Sequence, residues 1–361
     1  MPNRMRTALV AVLATAAPAV TAVAQEPTPP VTAPAPAPVP LPAPVADHPA
    51  LADGWARALT AGEPLYTAPG AATTAPRPIP SASIAGRALG AAFDDAGEVW
   101  VRVTFPGKVS GWAPGAALVA APPPPELTEP TRRALVRATA SLGPASALVV
   151  RDRFGRTVFA AGTTAPLSIA SVTKLATVTA ALALQPVPLR AARAILGPSD
   201  NERAQALSTR VGGGSARLGA RRAVETAAAL GADLRLVDGS GLSPANRASA
   251  GEIADLLLAV RDTPGFRTLF RAMPVAGRSG TLEDRMGGTT AEGRLRAKTG
   301  TLFDDPTSSL AGYIWPHGAG LSPERALVFV ALENRVSPYR ARPVQDAIAA
   351  RLTAPGAFLA E

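Results

Sequence analysis

Residues 166–182 read PLSIASVTKLATVTAAL, and residues 294–302 read RLRAKTGTL; the predicted fold and chemistry both depend on these two stretches. The apolar spacing over 171–184 predicts a helix that begins at Ser171. Residues three apart on a helix lie on one face, so the hydroxyl of Ser171 and the amine of Lys174 are expected to be neighbours. The first stretch therefore predicts a nucleophile with a base beside it.

Lysine is rare in this chain, which makes its positions informative. Of the 36 basic residues only Lys108, Lys174 and Lys298 are lysine, and the other thirty-three are arginine. An arginine keeps its proton in a protein, whereas a lysine can lose it when it is buried. Burial and a neighbouring cation lower the pKa of a lysine, so Lys174 is suited to act as a general base.

Two further short motifs accompany the serine–lysine pair. Ser199 and Asn201 belong to a Ser-Asp-Asn sequence ahead of a predicted helix, and Lys298 opens the sequence Lys-Thr-Gly-Thr. Each motif by itself has an ordinary structural explanation, such as a helix N-cap or the end of a strand. Their occurrence in this order is typical of class A β-lactamases and penicillin-binding proteins.

The composition excludes several kinds of chemistry. The chain has 361 residues, of which 47% are hydrophobic and 17% are charged, so it is long and apolar enough for folded domains. It has no cysteine and only His48 and His317, which excludes thiolate sites, His-rich metal sites and disulfides. The net charge is +9, but the arginines are scattered, so no nucleic-acid partner is predicted.

The N-terminal segment has the pattern of an export signal. Arg4 and Arg6 precede an apolar, alanine-rich run, 7–24, that ends in Ala-Val-Ala. We therefore predict a cleaved signal peptide over 1–24, with an uncleaved membrane anchor as the alternative. No later stretch is long and apolar enough to span a bilayer. The expected location is the cell envelope, periplasmic or extracellular.

Proline-rich tracts divide the remaining chain into modules. Residues 25–46 are predicted to be a Pro/Ala-rich linker and 121–130 a second linker, because such tracts favour extended backbone over a core. Between them, 47–120 is predicted to be a small β module, and 131–361 is long enough for one enzyme domain.

The small module alternates apolar and polar residues over 98–105, which predicts a strand, followed by a turn and a second strand. The run VWVRVTFPGKVSGWAP resembles the second half of a bacterial Src-homology-3-like domain, a small barrel. This resemblance implies a module that binds cell-wall peptide or acts as a spacer. Alternatively, Trp100 and Trp112 only fill a small core.

The larger domain is predicted to be α/β, of the α+β kind. A hairpin is expected at 147–160, and helical patterns follow over 202–211, 216–230 and 250–260 after the one that carries the serine. The last part has three strand-like runs, at 295–302, 310–315 and 326–332, and a closing helix at 343–352. This order favours helices packed around an antiparallel sheet.

The larger domain resembles the serine D-Ala-D-Ala carboxypeptidases, the low-molecular-mass penicillin-binding proteins, in the branch that includes carboxypeptidase/endopeptidases. The resemblance covers most of 147–332, in the two stretches quoted first together with PSDNERAQAL and DGSGLSPANRASA. It implies the penicillin-recognising serine transpeptidase and β-lactamase-like fold. It also implies peptidoglycan stem peptides and β-lactams as partners, and no metal or organic cofactor.

The resemblance assigns roles to the four residues of the acyl-transfer reaction. Ser171 would attack the carbonyl of the penultimate D-Ala, and Lys174 would take its proton. Ser199 would relay a proton to the leaving D-Ala, and Asn201 would hold the peptide amide. Water would then hydrolyse the acyl-enzyme.

The Lys-Thr-Gly-Thr motif would bind the other end of the substrate. Lys298 would support the relay and, with Thr299 and Thr301, attract the terminal carboxylate; Gly300 belongs to the same binding strand. The backbone N–H groups of Ser171 and Thr301 would form the oxyanion hole.

One departure from the branch leaves other functions open. Its members carry a long insertion between the first and second motifs, but Ser171 and Ser199 are only 28 positions apart. The inserted domain is therefore expected to be missing. The alternatives are a β-lactamase or an esterase on the same fold, or a catalytically degenerate wall-binding protein. A class A β-lactamase needs a glutamate with a nearby asparagine, and Glu225 has none beside it.

Overall fold

The computed structural model describes residues 55–58, 63–72, 74–75, 85–105, 109–121 and 124–359. The predicted signal peptide at 1–24 and the predicted linker at 25–46 lie outside these residues. Among the helices in the described ranges, none has the length and apolar character needed to cross a bilayer.

Five short strands near the start of the described chain form one antiparallel sheet in the order β4-β3-β2-β1-β5. Their bounds are β1 (Trp55–Ala58), β2 (Ala85–Phe93), β3 (Val99–Phe105), β4 (Val109–Pro114) and β5 (Leu118–Ala120). The alternation that predicted β3 is confirmed, since Val101, Val103 and Phe105 are buried. Trp100 and Trp112 are buried as well, as the core-filling alternative expects. The likeness to a Src-homology-3-like barrel stays a prediction.

The rest of the chain builds a second five-stranded antiparallel sheet with helices on both faces. Its sheet has the order β10-β11-β12-β6-β7. The elements are α1 (Glu129–Ser141), β6 (Ser146–Arg151), β7 (Thr157–Gly162), β8 (Leu167–Ser168), α2 (Thr173–Leu184), α3 (Leu189–Leu196), α4 (Asn201–Val211), α5 (Ala216–Ala229), β9 (Arg247–Ala248), α6 (Ala250–Ala259), α7 (Phe266–Ala272), β10 (Leu295–Leu302), β11 (Thr307–Ile314), β12 (Leu327–Asn334) and α8 (Pro338–Thr353). The predicted α/β class, with an antiparallel sheet flanked by helices, is confirmed.

Strand β12 shows how the three layers are held together. Its side chains alternate between the faces of the sheet. Val328 and Val330 belong to the larger core, which contains helices α2 to α7. Phe329 and Ala331 belong to the second core, with α1 and α8 on the other side. The central strands are therefore buried on both faces and form the middle layer of the domain.

Three element starts differ from the sequence expectation by two residues or more, and one of them is β11, which begins at Thr307 instead of Leu310. The helix predicted from Ser171 begins at Thr173, because Ala170–Val172 forms a 3₁₀ turn ahead of it.

The closing helix is confirmed, but it begins at Pro338 instead of Pro343, so its predicted start is wrong. Proline is favoured in the first turn of a helix, and Pro338 takes that place. The carbonyl that loses its N–H partner to Pro343 belongs to Tyr339, which is exposed, so water can satisfy it.

The segment after the small sheet pairs with the end of the chain. Thr128 donates its N–H to the carbonyl of Ala357 at 3.0 Å, and Leu359 donates its N–H to the backbone carbonyl of Glu126 at 2.8 Å. These bonds tie the entry of α1 to the exit of α8. The module boundaries at 47–120, 121–130 and 131–361 stay predictions.

Candidate active site

Ser171 lies in the 3₁₀ turn between β8 and α2, at the mouth of a cleft. Ala170 before it has a φ of +45°, a left-handed conformation that is uncommon for a residue other than glycine. The turn is held by its own bonds, since Thr173 Oγ1 donates to the carbonyl of Ala170 at 2.8 Å. Ile169 is also anchored, because its N–H donates to the carbonyl of Asn246 at 3.1 Å. The hydroxyl of Ser171 therefore sits on a fixed backbone.

Lys174 is fully buried one turn further along, and its amine meets three acceptors. Nζ donates to Ser171 Oγ at 2.8 Å, to Asn201 Oδ1 at 2.7 Å and to the carbonyl of Ser240. Burial lowers the pKa of Lys174 to about 8, although the nearby charges of Asp238 and Asp200 partly oppose this. A neutral amine is therefore accessible near neutral pH.

The three contacts fix what the neutral amine of Lys174 can do. The oxygens of the Asn201 amide and of the Ser240 carbonyl can only accept hydrogen bonds, so they take the two N–H groups that remain. The lone pair is then left for the hydroxyl of Ser171. The arrangement is one in which the amine can remove the proton of the serine as its oxygen attacks an acyl group.

The carbonyl of Ser240 is held in place by the preceding aspartate. The carboxylate of Asp238 accepts the backbone N–H groups of Ser240 at 2.8 Å, Gly241 at 2.6 Å and Ser243 at 2.9 Å. Burial acts to raise the pKa of Asp238, but the hydrogen bonds to it together outweigh burial and lower that pKa. Because its oxygens are occupied, Asp238 acts as a positioning residue.

Gly241 lets this loop lie directly against the nucleophile turn. Its φ is +85°, and an added Cβ would be 2.8 Å from the Cα of Ser171 and nearer still to the carbonyl of Ala170. Any larger residue would therefore collide with backbone. Thr177 fastens the loop from the next turn of α2, donating through Oγ1 to the carbonyl of Gly239 at 2.8 Å.

Ser199 and Asn201 reach the cleft from the turn between α3 and α4. Ser199 adopts a left-handed conformation with a φ of +64°, which is uncommon for serine. Asp200 caps α4, since its carboxylate accepts the N–H of Arg203 at 2.8 Å. Both Ser199 and Asn201 line the cleft that Ser171 opens into.

Strand β10 supplies the opposite wall, and it is an edge strand of its sheet. Gly300 has no room for a side chain, because a Cβ there would be 2.8 Å from the carbonyl of Ile169 and 3.1 Å from the N–H of Ser171. Thr299 and Thr301 on either side of it line the cleft. The glycine of the motif therefore allows β10 to approach the nucleophile.

Lys298 lies behind this wall. It is fully buried, and its Nζ donates to the carbonyl of Thr299 at 2.6 Å. Burial, and then the charge of Lys174, hold the pKa of Lys298 well below its usual range. Lys298 is therefore close enough to Lys174 to influence it electrostatically.

The cleft has a volume of about 480 Å³ and brings together most of the residues that the motifs predict. Ser171, Ser199, Asn201, Thr299 and Thr301 line it, with Lys174 and Lys298 buried behind them. Sequence reasoning misses four more lining residues, which are Thr281, Asp284, Arg285 and Arg342. No motif marks them, because they come from a loop and a helix distant in sequence.

Known proteins are similar to this chain in sequence. The profile of the D-Ala-D-Ala carboxypeptidase 3 (S13) family matches residues 144–354. A D-alanyl-D-alanine carboxypeptidase of Actinomadura sp. is 42% identical over 136 residues, which are 36% of this chain and 24% of that protein. Carboxypeptidase DacB of Mycolicibacterium smegmatis is 38% identical over 128 residues, which are 34% of this chain and 26% of that protein.

A crystal structure of penicillin binding protein 4 from Haemophilus influenzae, in complex with a β-lactam, is similar with a TM-score of 0.38 and 22% identity. The matched part is 44% of this chain and 41% of the Haemophilus influenzae protein. The region that the family profile matches contains the helix-flanked antiparallel sheet, with the half-buried Ser171 beside the buried Lys174. The chain belongs to the D-Ala-D-Ala carboxypeptidase 3 (S13) family. It spans about a quarter of the length of the curated relatives that it matches.

Proposed function

We propose that this chain is a serine D-Ala-D-Ala carboxypeptidase that trims peptidoglycan stem peptides and is acylated by β-lactams. The observation that carries the proposal is the contact of 2.8 Å between the amine of Lys174 and the hydroxyl of Ser171. The family supports the substrate class. The predicted signal at 1–24 supports export to the periplasmic or extracellular envelope.

In the proposed acylation, Ser171 Oγ attacks the carbonyl carbon of the penultimate D-Ala, and Lys174 takes the hydroxyl proton. The oxyanion that forms is stabilised by the backbone N–H groups of Ser171 and Thr301, a contribution of about 10²–10³ in rate for such donors. The peptide C–N bond then breaks, and Ser199 passes a proton to the amine of the leaving D-Ala. The product is an ester on Ser171.

Water completes the proposed reaction. A water molecule attacks the ester carbonyl, and its proton passes to Lys174, which is neutral again once the leaving D-Ala has taken the first proton. Breaking the ester C–O bond returns the proton to Ser171, by the reverse of the route used in acylation.

The contacts favour this reaction over two of the alternatives that the sequence left open, the class A β-lactamase and the degenerate wall-binding protein. Glu225 is exposed on α5, where it pairs with Arg221 at 2.8 Å, so it does not line the cleft as the base of a class A β-lactamase would. A degenerate wall-binding protein has no need of a lysine buried against its serine. For the module at 47–120 a spacer role is the better supported one, because Trp100 and Trp112 are buried.

Replacing Ser171 by alanine is expected to abolish covalent labelling by fluorescent penicillin and the release of D-Ala from a tripeptide ending in D-Ala-D-Ala. The variant should fold normally, because the hydroxyl projects into the cleft. Labelling is measured on denaturing gels with peptide mapping, and folding by thermal melting. Ser141→Ala removes an exposed hydroxyl elsewhere and serves as the matched control. Labelling that persists in Ser171→Ala would contradict the proposal.

Acylation is expected to speed up with rising pH and to reach half of its maximum near pH 8. The reason is that only the neutral form of Lys174 accepts a proton, and its pKa is about 8. Asp238→Asn removes an anion that raises this pKa, so the midpoint should move to lower pH. The measurement is the pH dependence of the acylation rate by stopped flow.

Asp233→Asn at an exposed position removes the same charge without touching the loop, and its midpoint should match the parent protein. A midpoint that stays in place in Asp238→Asn would show that this aspartate does not act on Lys174.

A further inference from the structure

Arg342 reaches the cleft from the first half of helix α8, a part of the chain that the catalytic motifs do not include. Its Nη2 donates to Thr301 Oγ1 at 3.0 Å, and it lines the cleft with both threonines of β10. We propose that Arg342 is the specificity-determining cation of this site, which binds the C-terminal carboxylate of the substrate together with Thr301. This inference rests on the proposed function and deepens it.

The lysine of the motif is poorly placed to supply this charge. Lys298 is fully buried, and its Nζ already donates to the carbonyl of Thr299 at 2.6 Å. Because burial holds the pKa of Lys298 well below its usual range, its positive charge is also disfavoured. A carboxylate that enters the cleft therefore meets the guanidinium of Arg342 ahead of the amine of Lys298.

The second arginine of the cleft is neutralised by its own partner. Arg285 Nη2 lies 2.5 Å from Asp346 Oδ1 in a partly buried ion pair. Arg342, by contrast, donates to a neutral hydroxyl and forms no ion pair with a carboxylate of the described residues. The exposed Asp284 on the rim is open to solvent, which weakens its field. The positive charge of Arg342 and its remaining N–H donors are thus available to an anionic ligand.

The same ion pair fixes the helix that carries Arg342. Arg285 Nη2 also donates to Gln345 Oε1 at 3.0 Å and to the backbone carbonyl of Arg342 at 3.4 Å. Gln345 continues inward, where its Nε2 donates to the buried carboxylate of Glu333 at 2.5 Å. Helix α8 is therefore anchored at this turn, so Arg342 is positioned before substrate arrives.

A planar guanidinium next to a hydroxyl suits a carboxylate, since both can donate to its two oxygens. The leaving residue of a carboxypeptidase substrate carries such a group one residue beyond the scissile bond. An amidated C-terminus has no charge there and would leave Arg342 without an anion. Arg342 should accordingly make the site select chains that end in a free acid.

The test compares two N-acetylated tripeptides ending in D-Ala-D-Ala, one with a free C-terminal acid and one with a C-terminal amide. In the parent protein kcat/KM should favour the acid. Arg342→Gln should lower kcat/KM for the acid about 10- to 100-fold, mostly through KM, and leave the amide within about three-fold. Arg342→Lys keeps the positive charge but loses the two parallel N–H donors of the guanidinium. Its kcat/KM for the acid should lie between that of the parent protein and that of Arg342→Gln.

The matched control is Arg340→Gln, which removes the same charge from an exposed position of the same helix, where Arg340 donates to the carbonyl of Ser141. It should behave as the parent protein does. Equal losses on acid and amide in Arg342→Gln, or no loss on either, would overturn the inference. Failure of the proposed function looks different, because the parent protein would then cleave neither peptide and Ser171 would not react with a neutral p-nitrophenyl ester.

Discussion

Replacing Lys174 by arginine is expected to lower the rate of acylation of Ser171 by about a thousand-fold. General-base catalysis contributes about 10²–10⁴ in rate, and arginine keeps the positive charge while it cannot accept the proton. Loss of rate with the charge retained would therefore identify proton transfer as the role of the amine. The measurement is the acylation rate with fluorescent penicillin at pH 8, together with D-Ala release.

Because Lys174 is fully buried, a larger side chain at this place can disturb packing. Lys174→Met is the second variant, since it is unbranched and of similar length but has no amine. Both variants should lose acylation to a similar degree, and thermal melting shows whether each one is folded. An acylation rate within about ten-fold of the parent protein in a folded variant would mean that the base lies elsewhere.

Replacing Gly241 by alanine is expected to reduce acylation by about a hundred-fold or more, although the residue bears no reactive group. The new Cβ would push against the carbonyl of Ala170 and the Cα of Ser171. A displacement of about 1 Å at a reacting group can cost a factor of 10² in rate. The variant should also melt at a lower temperature, because alanine is strained at a φ of +85°.

Gly231→Ala separates the effect of the collision with the nucleophile turn from the effect of backbone strain. Gly231 has the same φ of +85°, but an added Cβ would meet nothing within 4 Å. Its variant should lose about 1 kcal/mol of stability from backbone strain and keep the parent acylation rate. If Gly241→Ala acylates as fast as Gly231→Ala does, the loop does not position the nucleophile.

Several elements around the site were predictable because their periodicity is unambiguous. The pattern at 295–302 predicts β10, and the patterns in the helical block predict α4, α5 and α6 to within one residue at either end. The sequence analysis does not predict α1, α3 and α7. Helices α3 and α7 have only eight and seven residues, and α1 begins inside the stretch assigned to the second linker, next to the proline tract. Residue Pro343 misled the placement of α8, since proline marks a helix start more often than its interior.

The site was predictable where chemistry depends on neighbours in sequence. The spacing of Ser171 and Lys174 brings them together even though a 3₁₀ turn replaces the expected helical start. The third partner of the lysine amine is the carbonyl of Ser240. This contact could not be predicted from the sequence, because every residue has a backbone carbonyl. No sequence motif marks Arg342 either, because only the packing of α8 brings it to Thr301.

Strand β10 is an edge strand of its five-stranded sheet. Residues 274–276 pair with the first part of its outer edge, at 295–297, and among the described residues no strand pairs with the outer edge of 298–302. A stem peptide that lies extended along this edge would extend the sheet by β-augmentation. Recognition of that kind depends on main-chain hydrogen bonds and does not depend on most side chains of the peptide. Peptides of varied composition would then dock equally well, and N-methylation at a pairing amide would be the change that the enzyme does not tolerate.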